Sequence, residues 1–316
     1  MTFPSERVFP FLFVLLWSTG FIGARLGLPH IEPLTFLVIR YILVLTAMLG
    51  LALITRAPWP ATGRAWWHIG ISGLLVHGVY LGGVFIAIGK GLPAGVASLV
   101  VGVQPLLTAV GAGWLLGAKV SARQWLGLVL GFVGVALVVA GKLGAEFPVW
   151  ALVPAVVALL GITAGTLYQK RYCPAFDWRT GAVAQFLPTA VFTGLCAWLW
   201  ESGRIEWTGE LFFAMGWLVL VLSIGAVSLL NWLIRTSNAV NVASLFYLVP
   251  PCTALFAWLL FGNTFTGMAL LGLGLAVWGA VTLPGARLGY LQLAAFHGYL
   301  ELAIAARWFA FGRAST

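Results

Sequence analysis

Apolar residues in this chain run in long blocks, separated by short connections that carry Pro, Gly or charged residues. Ten blocks reach the roughly 20 residues that an α-helix needs to cross a hydrocarbon layer. They fall at about 8–25, 34–54, 67–88, 93–116, 124–141, 149–168, 181–200, 211–233, 239–261 and 265–283. The expected fold is an all-α polytopic membrane protein. The first block has the apolar run Val8 to Trp17 that a signal peptide would have. Its best cleavage point, after Ala24, puts Ile22 where a small residue is required, so an uncleaved helix is expected.

The blocks repeat. Val96-Ala97-Ser98-Leu99, Pro105, Leu115-Leu116-Gly117, Leu126-Gly127 and Gly134 return as Val242-Ala243-Ser244-Leu245, Pro251, Leu260-Phe261-Gly262, Leu271-Gly272 and Gly279, about 145 residues later. One residue is lost between the proline and the glycine of the second copy. The midpoint is the loop from Lys142 to Pro148, which leaves five blocks on each side. This divides the chain into a first repeat at 8–141, a second at 149–284 and a tail at 285–316. Repeats in a very hydrophobic chain are the signature of secondary transporters, whose halves rock around a midplane site.

Composition agrees: 61% of residues are hydrophobic and only 8% charged, against about a quarter charged in soluble domains. The excess of basic residues forms no stripe for a phosphate backbone, so nucleic acid is not an expected partner. Its distribution instead sets orientation. With the N-terminus inside, Arg7, Arg56, Arg64, Lys119, Arg123, Lys170, Arg171, Arg179, Arg235, Arg287, Arg307 and Arg313 are cytoplasmic, and Arg25, Lys90, Lys142 and Arg204 lie outside. By the positive-inside rule both termini are then cytoplasmic, and five crossings per repeat make the repeats inverted. The tail from Leu288 to Phe311 suits a surface-lying helix or a weakly ordered extension better than an eleventh crossing.

Small residues mark helix contacts in lipid. Gly127, Gly131 and Gly134, Gly161 and Gly165, and Gly272 and Gly279 are the expected packing faces. Dimerisation is the other use of such patterns, so a monomer or weak dimer is expected. Pro105 and Pro250-Pro251 fall near the middle of equivalent blocks, where bends that line a cavity compete with inert kinks.

These residues carry a family resemblance. Trp17-Ser18-Thr19-Gly20 with Arg25, Pro33 followed by Arg40, the run Gly91 to Leu99, Pro105 and the Leu126-Gly127…Gly134 block resemble the drug/metabolite transporter superfamily. The match is to its ten-helix members built from two EamA-type repeats, and it covers residues 8 to 284. Within the superfamily the chain is most similar to bacterial exporters of aromatic and other amino acids. The resemblance implies export of neutral or aromatic amino acids, or similar small metabolites, across an inner membrane. One feature departs from the family: Ala118 and Asn263 stand where a glutamate usually follows the glycine ending the fourth and ninth helices.

No Asp or Glu lies inside the ten blocks. A proton-carrying membrane carboxylate is therefore excluded, and a facilitative carrier is expected. No Walker loop, no paired metal ligands and no HExxH motif occur, so neither a cofactor, a metal nor enzymatic chemistry is expected. Cys173, Cys196 and Cys252 fall in or beside different blocks and imply no disulfide.

The ionisable residues at membrane depth are Arg40 and His77. Arg40 serves either as a carboxylate clamp or as a structural group bonded to backbone carbonyls. His77, on one face with Tyr80, serves either as a ligand contact or as a packed histidine. Trp17, Gln104, Asn231, Ser244, Tyr247 and, toward a cytoplasmic end, Tyr168 complete the candidate substrate-binding set. Gln104 and Tyr247 flank the prolines and rank above Gln185. Export of lipophilic cations or drugs is the alternative, weakened by the missing buried acid.

Overall fold

The structure is a computed structural model that describes residues 5–92, 94–140, 147–173 and 175–237. Beyond these it describes 242–243, 245–249, 252–253, 255–256 and the single positions 259, 271, 274, 275 and 278. Ser244, Pro250, Pro251, Gly272, Gly279, most of the last block and the tail after 284 lie outside the described residues. Among those described, the chain is helical, with one isolated bridge between Ile31 and Ile205.

Among the described residues, six helices are long and apolar enough to cross a bilayer: α1 (Ser5–Gly27), α2 (Pro33–Ile54), α3 (Gly63–Gly89), α7 (Leu152–Tyr172), α8 (Trp178–Trp200) and α9 (Gly209–Thr236). Between them come α4 (Ala94–Val101), α5 (Gln104–Leu116) and α6 (Ala122–Ala140). The expected single helix over 93–116 is thus two pieces meeting at Gly102–Val103. Pro105 is the reason. It sits in the first turn of α5, where its missing N–H needs no partner, while the ring stops α4 from continuing.

The helices α3 and α9 share an unusual construction. Each begins with a threonine cap: the Thr62 hydroxyl accepts from the Ala65 N–H, and the Thr208 hydroxyl from the Leu211 N–H. Each then widens into a π-helical stretch, Leu74–Leu81 in α3 and Leu218–Ala226 in α9. The two caps are separated by the same sequence offset as Val96 and Val242. Such stretches inside α-helices mark functional sites more often than chance, because they re-aim side chains.

Glycines set how closely these stretches are approached. A methyl group on Gly161 or Gly165 of α7 would run into Leu75, Val76, Val79 and Tyr80 of α3. One on Gly20 or Gly23 of α1 would meet Leu222 and Leu218 of α9. The expected Gly161/Gly165 contact face is therefore spent inside one bundle.

The surface is apolar, and the largely apolar core holds a minority of buried polar groups. Ile54, Trp114, Trp198, Phe212, Phe213 and Leu220 face outward, while Arg40, His77, Gln104, Gln185 and Asn231 are buried. An apolar surface of this kind suits lipid as the surrounding solvent.

Candidate functional site

At the centre, α2, α3, α8 and α9 bring ionisable and amide side chains together. Arg40 lies about 10 Å along α2 from its start at Pro33, taking a rise of 1.5 Å per residue. Its side chain is fully buried. Arg40 Nε donates to Ser223 Oγ at 2.9 Å, across the two halves of the chain, while Nη1 has no hydrogen-bond partner among the described residues. A guanidinium held out of water costs several kcal/mol unless it is compensated. No Asp or Glu on the surrounding helices does so at this depth.

His77, buried as well, lies on the π-helical stretch of α3. Its ring stacks on Phe186, with centroids 4.3 Å apart and planes 14° apart. Tyr41 packs against the same phenylalanine at 5.5 Å, and its hydroxyl donates to the backbone carbonyl of His77 at 2.7 Å. Gln185 approaches the imidazole, yet neither ring nitrogen makes a hydrogen bond of normal geometry. The stretched turn of α3 holds the ring in this position, since His77 and Tyr80 both lie on its π-helical segment. Tyr80 in turn stacks on Trp17 of α1, 6.2 Å away and nearly parallel.

A second group is an amide ladder. Gln169 Nε2 donates to Asn231 Oδ1 at 3.0 Å, Asn231 Nδ2 to Gln185 Oε1 at 3.0 Å, and Gln185 Nε2 to Ser72 Oγ at 3.2 Å. It ties α7, α9, α8 and α3 through satisfied bonds, which in a low-dielectric interior rigidify a unique arrangement.

Four of the expected residues, Trp17, Arg40, His77 and Tyr80, thus converge, with Asn231 joined through Gln185. Gln104 and Tyr247 are buried, but their side-chain polar atoms have no hydrogen-bond partner among the described residues, and Tyr247 packs with Ala109, Ala112, Leu128 and Leu167 in a separate cluster. Tyr168 is elsewhere. Its hydroxyl meets His68 Nδ1 at 2.7 Å near a helix end, alongside Tyr172. Ser244 lies outside the described residues. Gln185, Gln169, Ser223 and Phe186 were not singled out from the sequence or ranked low there. Helical depth alone did not reveal which faces would meet, and only Gln185 carried a usable signal as a polar residue in mid-block.

A cavity of about 20 Å³ lies between Trp17, Gly20, Tyr80, Val84 and Leu222, room for about one water. A larger hollow of about 410 Å³ opens at the end of the bundle formed by Pro29–Leu34, Gly89, Lys90 and Trp200–Arg204, within the range of small-molecule sites. Reciprocal carboxylates clamp its rim. Glu201 accepts from the Leu34 and Thr35 N–H groups, each at 2.7 Å, and from the Thr35 hydroxyl. Glu32 accepts from Ser202 N at 3.2 Å and Arg204 N at 3.0 Å. Burial would raise the Glu32 carboxyl, but the N–H groups of Arg204 and Ser202 outweigh it and hold the acid below its usual value. His30 pairs with Glu210 at 3.2 Å, and Arg204 with Glu206.

A bundle with an apolar surface, buried polar side chains at its centre and a hollow at one end fits a protein embedded in a membrane. The chain belongs to the EamA-like transporter family, whose model matches residues 8–140 and again 149–283. Relatives include the protein named "Uncharacterized inner membrane transporter YedA" of Escherichia coli K12, 24% identical over 86% of this chain and 88% of that one. Another is the "Probable amino-acid metabolite efflux pump" of Salmonella typhimurium, 24% identical over 83% of this chain and 88% of its own length. A solved crystal structure shares the fold with a TM-score of 0.71 at 22% identity, over 88% of this chain and 96% of that one.

Proposed function

We propose that the protein exports neutral, chiefly aromatic or apolar, amino acids or similar metabolites by alternating access through a central site. In this reading it has ten crossings in two inverted five-helix repeats, both termini cytoplasmic, and the 410 Å³ hollow opens to the outside. The observation that carries the reading is the chemistry of the centre: one buried cation, Arg40, among the aromatic rings of Trp17, Tyr80, Tyr41 and Phe186, with no buried acid. That suits a zwitterion with an apolar side chain. It repels a lipophilic cation. The relative named as an amino-acid metabolite efflux pump supports the same substrate class.

Substrate is contacted in this scheme by Trp17, Arg40, His77, Tyr80 and Asn231, with Gln104 and Tyr247 reached as the helices part. The absence of a membrane carboxylate supports facilitative transport. Purified protein in liposomes, loaded with each of the twenty common amino acids in turn, provides the test. Saturable counterflow of aromatic and branched amino acids is expected, unchanged by an imposed pH gradient. No flux for any of them rejects the reading. Labelling of single cysteines at Lys119 or Arg179 from outside intact cells rejects the orientation.

A further inference from the structure

The central cation has an unspent hydrogen-bonding edge, and its neighbour has two. Among the described residues, Arg40 uses Nε on Ser223 and leaves Nη1 unmatched, and both nitrogens of the buried His77 ring, which Gln185 approaches, make no hydrogen bond of normal geometry. Buried polar atoms without partners are rare in folded proteins and call for an explanation. Here three of them lie on α2 and α3, which Tyr41 joins through its bond to the His77 carbonyl, and the stacked pairs Trp17/Tyr80 and His77/Phe186 belong to the same core. A neutral imidazole offers one donor and one acceptor, and a guanidinium offers donors only. The group that matches this set is a carboxylate accepting from Arg40 and from the histidine N–H. An adjacent ammonium would complete it by donating to the second histidine nitrogen.

Resting on the transport reading above, we infer that Arg40 and His77 form the carboxylate subsite of the transported molecule, and that Ser223 is Arg40's alternative partner when the halves are closed. Arg40 and His77 belong to the first half and Ser223 to the second, so separation of the halves breaks the 2.9 Å bond that closes them. The guanidinium then turns to the substrate carboxylate. Binding and opening are coupled by this exchange of partners. The rings of Trp17, Tyr80 and Phe186 leave the neighbouring space to an apolar or aromatic side chain.

The test uses four probes of one shape: L-phenylalanine, L-phenylalaninamide, 3-phenylpropionate and phenethylamine. Each is titrated against purified full-length protein by thermal shift, and phenylalanine and its amide are also followed by liposome uptake. The two carboxylates are expected to bind at least about ten-fold better than the amide or the amine, as a site built to bond a polar group rejects analogues lacking it. Arg40→Gln should bring acid and amide within about three-fold of each other, and Arg40→Lys should keep part of the preference, losing only paired geometry. Equal binding of acid and amide by the unaltered protein overturns the inference. So does Arg40→Gln weakening both by the same factor, the mark of a structural arginine. Should Arg40→Gln fail to fold, the unaltered protein's preference decides, together with Ser223→Ala, which should keep it. Carboxylate preference without any amino-acid flux would reject the proposed function and leave the subsite standing. Amino-acid flux indifferent to the carboxylate would do the reverse.

Discussion

The helices α3 and α9 have the same backbone plan and different seams. Both start on a threonine cap, and both widen into a π-helical stretch at matching positions. Yet α3 meets α7 backbone to backbone: a methyl on Gly161 would lie 3.0 Å from Tyr80 N and 3.1 Å from Leu75 O, and one on Gly83 would lie 2.4 Å from Pro154 O. The α1–α9 seam is glycine against leucine, where a methyl on Gly20 would lie 2.7 Å from the end of the flexible Leu222 side chain. Side chains can yield where backbones cannot. The first seam is the fixed one, and the second has freedom to adjust.

Substitution at the two seams gives the largest expected contrast. Gly161→Val should destabilise by about 3 kcal/mol, the upper end for overpacking a well-filled contact, and lose most of the monodisperse protein in detergent. Gly20→Ala should cost about 1 kcal/mol or less, because Leu222 can change rotamer. Similar losses of melting temperature at both positions would erase the distinction.

The side chains on the two frames differ as much as their seams. By the offset that relates the caps, His77 corresponds to Ser223 and Phe85 to Asn231. Asn231→Leu would make α9 resemble α3 and strand the amides of Gln185 and Gln169. A loss of roughly 2–4 kcal/mol is expected, at 1–3 kcal/mol for each buried polar group left unpaired. Thermal unfolding of the variant in detergent reads this directly.

Exchange of the other pair probes chemistry more than stability. His77→Ser should reduce flux about ten-fold or more at every pH, through loss of a contact. A shift in pH optimum with unchanged maximum flux would instead make His77 a titrating group.

The smallest effect concerns the rim, where the halves meet through Glu32, Glu201, Glu206, Glu210, His30 and Arg204. Glu32 is held below its usual 4.5, so its contribution is present above that pH and fades as pH falls through the lowered value. Glu32→Gln should lower the melting temperature at neutral pH by ~1–3 °C and abolish the acid-dependent part of that loss.

Much of the frame was legible from sequence. Hydrophobic blocks of bilayer length mark α1, α2, α3, α7, α8 and α9, because a backbone in lipid must satisfy its own hydrogen bonds within a helix. The residues Trp17, Arg40, His77 and Tyr80 stood out as well, since polarity at membrane depth is costly and therefore conspicuous. The sequence could not show that Gln185 reaches Asn231 while Tyr168 turns to His68. Helix rotation relative to neighbours depends on packing against a second helix, which a uniformly apolar block leaves open. Nor could it show the π-helical turns of α3 and α9, which leave no mark in a uniformly apolar block. The chain by itself marked the apolar surroundings, six of the segments and the two-fold family repeat, all local consequences of its sequence. Only the tertiary structure decided that Arg40 of one half bonds Ser223 of the other and leaves Nη1 unmatched among the described residues, because that pairing depends on two helices approaching at a fixed depth and rotation.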